Sequence, residues 1–158
     1  MALPLDSRYP DCAECMVHGG FWAAERVLID PVLSEIQRLQ KENPTFDVYV
    51  TGHSLGGALA VLAALDIVET GIPVRCYTFG MPRVGNRAWA DYLRRALPVA
   101  VRVTHNRDAV PHMPPTSFGF RHSAPEVFEA ADGGLTLCEE DGESPACSAR
   151  FALWQTNV

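Results

Sequence analysis

One serine in this chain stands where its neighbours would make it a nucleophile. Gly52-His53-Ser54-Leu55-Gly56 fits G-x-S-x-G, a pattern that carries chemistry when a strand leads into it and a helix leads out. Val48-Tyr49-Val50-Thr51 is β-branched and aromatic, and the small-residue run that follows keeps Leu55, Leu59, Leu62 and Leu65 on one helical face. The turn between them must be sharp and strained to hold the Ser54 hydroxyl clear of the backbone. Side chains two residues before and two after are expected to collide with neighbouring backbone, which accounts for Gly52 and Gly56. The helix opening at Leu55 directs free N–H groups at charge developing near Ser54. A Walker-type phosphate cradle would need Gly-Lys-Ser/Thr, and no lysine is near. The uncharged run from Val48 to Leu65 is about long enough to span a bilayer, but His53, Ser54 and three glycines in its middle argue against that.

A serine hydroxyl is a weak nucleophile at neutral pH. It needs an imidazole to accept its proton and a carboxylate to orient that imidazole. On this topology the chain order is Ser, then Asp or Glu, then His. Asp108 is the best carboxylate, because it follows an apolar strand and falls at the same sheet edge as Ser54. Asp47, Asp66 and Asp91 fall at a strand start or on helix faces and are poorer candidates.

The elements that must hold these residues read as follows. A helix runs from His18-Gly19-Gly20-Phe21 to about Asn43, with Leu28, Val32, Ile36 and Leu39 as an apolar stripe and a kink or new turn at Pro31. Strands are expected at residues 46–51, 74–79 and 99–104. The elbow helix stops at Gly71, and a further helix is capped by Asn86 and carries Trp89, Tyr92, Leu93 and Ala96 on one face. Alternation of helix and strand predicts an α/β fold: a mostly parallel sheet with helices on both faces, its ligands beyond the carboxyl ends of the strands. After Asp108 the pattern changes to a Pro-rich loop and a hairpin around Asp132-Gly133-Gly134.

The chain of 158 residues is one domain's worth. A net charge of −6 with scattered Lys and Arg argues against a nucleic-acid partner, and no transmembrane segment or signal peptide is read. Nothing in the pattern implies a cofactor or metal. Of five cysteines, Cys12 and Cys15 form C-x-x-C, Cys138 and Cys147 flank a polar loop, and Cys76 lies in an apolar strand. Two local disulfides and one buried thiol are the preferred reading and imply an oxidising compartment; five reduced thiols are the alternative.

Taken together, the chain resembles a fungal-type class 3 lipase of the α/β-hydrolase superfamily. The matching stretches are Cys12-Ala-Glu-Cys15 leading to His18-Gly-Gly-Phe21, the elbow from Thr51 to Ala60, Tyr77-Thr-Phe-Gly-Met-Pro-Arg-Val-Gly-Asn86 and Val103-Thr-His-Asn-Arg-Asp-Ala-Val-Pro111. Pro114-Pro115 and Phe120-Arg-His-Ser123 with Pro125-Glu126 also match. The resemblance implies catalytic Ser54 and Asp108, an oxyanion donor in the backbone N–H of Leu55, and disulfides Cys12–Cys15 and Cys138–Cys147. It implies a secreted ester hydrolase of triacylglycerol lipase type acting on lipid esters at a lipid–water interface. Feruloyl esterase, phospholipase and acyltransferase variants share these residues, and a non-catalytic lipase-like module is the alternative from another class.

The chain also departs from the family. The family's catalytic His lies in a His-x-x-Tyr-Phe-like segment near the C-terminus, and nothing like it follows Trp154. The family's first strands, lid and oxyanion Ser or Thr precede its C-x-x-C. The chain is therefore expected to be a single partial domain over residues 1–158, inactive or nearly so by itself, with a bare sheet edge that invites self-association. His122 follows Asp108 and so satisfies chain order as a substitute base. His53 should point to the face opposite Ser54.

Overall fold

Among the described residues, glycine and proline break the apolar runs into short strands and three α-helices. The computed structural model describes residues 1–4, 9–123 and 125–157. In chain order these hold β1 (Ala2–Pro4), β2 (Met16–His18), α1 (Gly19–Glu42), β3 (Val48–His53), α2 (Leu55–Glu69), β4 (Val74–Phe79) and β5 (Gly85–Asn86). After them come α3 (Arg87–Ala96), β6 (Ala100–His105), β7 (Phe120–Arg121), β8 (Glu126–Glu129) and β9 (Leu135–Cys138). The main sheet runs β3-β4-β6-β8-β9, with parallel pairing through β8 and an antiparallel β8–β9 hairpin closing one side. A small antiparallel sheet, β1-β2-β5-β7, lies apart from it.

Period-two alternation decides which strand residues are covered. Val48, Val50, Val74, Cys76 and Ala100 pack into one core with α1, α2 and α3, while Tyr49, Thr51, Arg75 and Phe79 of the intervening positions are exposed. The expectation of helices on both faces is met on one face among the described residues. Helix α2 is covered almost all round, with Ala58, Leu62, Ala64 and Leu65 buried, as its uncharged sequence requires.

Helix α1 differs from its predicted stripe. Leu28, Val32 and Leu39 are exposed, and the covered face carries Glu25 and Ile29, with Phe21, Trp22, Leu33 and Ile36 packed against the core. Apolar residues occupy a wide arc of this helix, and polar contacts select its rotation. Arg26 pairs with Glu25 and with Asp66 of α2 and stacks on the Trp22 ring at 4.3 Å. The helix runs through Pro31 without ending.

The hairpin around Gly133, which has a φ of +82°, forms as expected. Its first strand also adds to the main sheet beside β6, a pairing the hairpin pattern does not announce. Cys138 is bonded to Cys147 in a small second core with Phe128 and Phe151, and Cys12 is bonded to Cys15, with Cα separations of 6.4 and 5.2 Å. Cys76 is buried and unbonded, and burial pushes its thiol up to about 12.

Behind β6 lies a buried ionic network. Arg102 reaches Ser123 O, Gly142 O and Glu126 Oε2, and Glu126 Oε1 accepts from Thr104 Oγ1 and Ser148 N. Arg83 grips Glu143 through two N–H···O bonds of 2.7 Å, and Glu143 also accepts from His122 N. Burial pushes the Glu126 carboxyl up, but Arg102 and the Ser148 and Thr104 hydrogen bonds outweigh it and hold the group below the usual carboxylate range. This network pins residues 142–148 against the sheet.

Candidate active site

Strand β3 delivers Ser54 to the carboxyl end of the main sheet. The Ser54 N–H bonds Phe79 O at 2.9 Å, continuing the β3–β4 ladder. The chain then turns with Ser54 at φ 53° and ψ −125°, left-handed territory that L residues rarely occupy. Helix α2 starts at the next residue, with Ser54 as its N-cap. The Ser54 carbonyl accepts from Gly57 N at 2.9 Å, but its hydroxyl makes no capping bond and so is not spent on its own helix. The Leu55 N–H, in the first turn, has no intrahelical acceptor.

Sterics make Gly52 necessary and leave Gly56 free. A Cβ at Gly52 would stand 2.2 Å from Gly56 O, a collision of backbone with backbone. At Gly56 a Cβ would meet nothing within 4 Å, so the expected clash after the serine is absent. The crowded helical glycine is Gly57, where a Cβ would lie 3.1 Å from Met81 Cβ. The carbonyl of Gly56 fills the space that a side chain at residue 52 would need, whereas its own Cα faces outward.

Asp108 follows β6 at the same edge. Asn106, at φ 41°, turns the chain, and Asp108 N bonds His105 O at 3.0 Å. One carboxylate oxygen, Oδ1, accepts the Val110 N–H at 2.9 Å, the usual grip of an aspartate on its own turn. The other, Oδ2, faces Gly80 at the end of the intervening strand β4; a Cβ on Gly80 would stand 2.8 Å from it. Gly80 has a φ of +55°, so the residue is glycine for backbone reasons as well as for space. The C-terminal segment also returns here: Asn157 bridges to Asp108 and donates to Arg107 O at 2.8 Å.

The histidines divide by environment. His18 caps α1 through its Nδ1 and packs on Phe21, and burial, then the N-terminal charge, lowers its pKa. His105 faces Glu129 at 3.2 Å. His112 is buried with its ring nitrogens toward Asp108 O and Ser148 O. His122 is buried and directs Nε2 to Pro111 O at 2.8 Å. His53 lies on the exposed face, as alternation requires, yet its Nε2 comes within 3.5 Å of the same point over Gly80 that Asp108 Oδ2 borders. Sequence reasoning missed Gly80. The available signal was a glycine directly after an apolar strand, level with the elbow.

Among the described residues no group of three or more His, Cys, Asp or Glu side chains is placed to hold a metal ion, and no helix is long and apolar enough to cross a membrane.

Residues 3–118 match the family described as Lipase (class 3). The chain is 43% identical over 122 residues to secreted mono- and diacylglycerol lipase 1 of Fusarium solani, covering 77% of this chain and 36% of that protein. It overlays on the Rhizomucor miehei lipase of a propeptide complex with a TM-score of 0.86 at 33% identity, covering 99% of this chain and 52% of that one. It also overlays on a triacylglycerol lipase whose catalytic centre is described as a serine protease triad, with a TM-score of 0.85 at 33% identity, covering 98% of this chain and 62% of that one. The chain thus spans about two fifths of the length of its curated relatives and holds part of an α/β-hydrolase fold. A family match through most of the chain and solved structures that overlay on nearly all of it agree: the chain belongs to the class 3 lipases.

Proposed function

We propose that this chain is the nucleophile-bearing part of a secreted serine ester hydrolase that cleaves carboxylic esters of lipids, with Ser54 as nucleophile and Asp108 as the acid of the triad. The observation that carries this reading is the sheet edge itself. A strained serine with an uncommitted hydroxyl and a turn-gripped carboxylate stand at the carboxyl ends of β3 and β6, with Gly80, just past β4, between them. The Leu55 N–H and the α2 dipole supply stabilisation for an oxyanion at Ser54. Leu55 is 52% exposed and Phe79 44% exposed beside the serine, which suits an acyl chain. The relatives' names support acylglycerols as substrates, and the two disulfides support secretion.

In the full mechanism an imidazole takes the Ser54 proton as the hydroxyl attacks the ester carbonyl, then returns it to the leaving alcohol. Because Asn157 pairs with Asp108, a histidine following this segment in a longer protein would enter beside the carboxylate. Without that histidine, a residual acceleration of about 10³–10⁴ over water is the expected ceiling. The test is hydrolysis of p-nitrophenyl butyrate together with fluorophosphonate labelling. Slow turnover and slow labelling, both removed by Ser54→Ala, support the reading. Loss of neither refutes Ser54 and favours a non-catalytic module. Brisk turnover removed by Ser54→Ala refutes the need for a further histidine. The outer edge of β3 supports the expected self-association, which a clean monomer in static light scattering at high concentration would exclude.

A further inference from the structure

The turn that carries Asp108 has a gap in its main-chain bonding. Asp108 Oδ1 accepts the Val110 N–H, and His112 N bonds Ala109 O at 3.0 Å. The residue that would close a turn on the Asp108 carbonyl is the third one on, Pro111, which has no N–H. No backbone N–H among the described residues reaches that carbonyl, and a carbonyl left bare in a half-buried turn is costly.

A side chain meets the need. His112 Nδ1 lies 3.0 Å from Asp108 O, and Nε2 lies 3.3 Å from Ser148 O. A neutral imidazole carries one N–H, so only one of these contacts can be a hydrogen bond while the ring is neutral. Ser148 O already accepts the Phe151 N–H at 3.1 Å, so the shorter contact and the greater need both fall at Nδ1. The residue is also anchored from behind. Arg83 donates through Nη1 to His112 O and Pro114 O and through its main chain to Met113 O, and its guanidinium is held in turn by Glu143. With its main chain fixed and its surface 7% exposed, His112 can hold the Asp108 turn instead of following it.

We propose that His112 is a positioning residue for Asp108: its Nδ1–H supplies the bond that Pro111 cannot, and so fixes the main chain from which the carboxylate projects. The acid at the sheet edge is thereby tied to the buried Arg83–Glu143 pair. The catalytic consequence rests on the hydrolase reading, whereas the hydrogen bond itself does not.

Two measurements on the 158-residue chain test this. Long-range ¹H–¹⁵N NMR at about pH 8, where an ordinary imidazole is neutral, reads the His112 tautomer, assigned through bonds from its own backbone. The Nδ1–H form is expected, and the Nε2–H form overturns the proposal. Amide exchange then reads the turn through the Val110 N–H, with the Leu65 N–H of α2 as the reporter of global opening. Asn can place an N–H where Nδ1 stands, and Gln can place one where Nε2 stands. In His112→Gln, Val110 is expected to lose about three- to tenfold in protection beyond any loss at Leu65, the size of one hydrogen bond; His112→Asn is expected to keep it. Equal losses in the two variants, as mere packing would give, or no loss in His112→Gln overturn the proposal. Should either variant fail to fold, the tautomer decides. Fluorophosphonate labelling of Ser54 is followed in the unaltered chain. If His112 behaves as expected and Ser54 never labels, the hydrolase reading falls and the bond stands. If Ser54 labels and His112 carries its proton on Nε2, the proposal falls alone.

Discussion

His53 and His122 flank the Asp108 loop and show how differently one residue type behaves at the sheet edge and inside the fold. His53 is exposed, with its ring bordering the space over Gly80 that Asp108 Oδ2 also borders. His122 is buried, bonded to a backbone carbonyl and close to two guanidinium groups; burial first, then Arg102 and Arg83, hold its pKa well below the ordinary value. The first is open to solvent. The other is kept neutral, and its role is to hold the Pro111 turn. The same contrast runs through the acidic residues. Glu126 and Glu143 have cationic partners in the interior, while Asp108 is fixed through one oxygen and leaves the other at the edge. Stability is concentrated in the interior, and strain is accepted at the edge.

The interior gives the largest expected effect. Arg102→Met leaves Glu126 buried without its cation and is expected to cost about 3–5 kcal/mol in urea unfolding; a loss below about 1 kcal/mol would mean that Glu126 finds another partner, and the contrast would fade. At the edge, Gly52→Ala forces a Cβ onto the Gly56 carbonyl. It should cost about 1–3 kcal/mol and, more tellingly, abolish Ser54 labelling. Retained labelling would show that the bend is not sterically determined.

Acid sharpens the difference between the two histidines. The folded pKa of His122 lies below its unfolded value near 6.5, so the unfolded chain binds the extra proton as pH falls through that window. The stabilisation is therefore complete above about pH 6.5 and is lost on acidification, by up to about 1.4 kcal/mol per pH unit. Glu126 works in the same direction at lower pH, and His18 adds to the same window. Comparing wild type with His122→Gln isolates the His122 share, and an unchanged slope would place its titration elsewhere. The smallest effect is expected at Gly56→Ala. With open space there and a helical backbone, the substitution should gain about 0.5–1 kcal/mol and leave labelling intact. Destabilisation would mean that the outer face of the elbow is crowded after all.

Much of this was legible in the chain. Strand β4, helix α2, the Asn86 cap of α3 and the hairpin follow from local sterics: β-branched runs, a glycine at a left-handed stop, an amide that bonds the Trp89 N–H. The rotation of α1 was not legible, because its apolar residues span too wide an arc for periodicity to choose a face, and the Arg26 contacts across to α2 chose it. The Arg102–Glu126 and Arg83–Glu143 pairs join residues 24 and 60 positions apart and leave no periodic trace.

Sequence alone determined the elbow. A serine between a strand-forming run and a small-residue helix has few conformations open to it, and a glycine two residues earlier is demanded by backbone contact. Tertiary structure alone decided which groups share the edge with that serine. Pairing β3, β4 and β6 in parallel register places their ends side by side, so a glycine, an imidazole and a carboxylate far apart along the chain converge on one small space. The reason is range: local sterics act over a few residues, whereas strand order is set by the summed burial of the whole core.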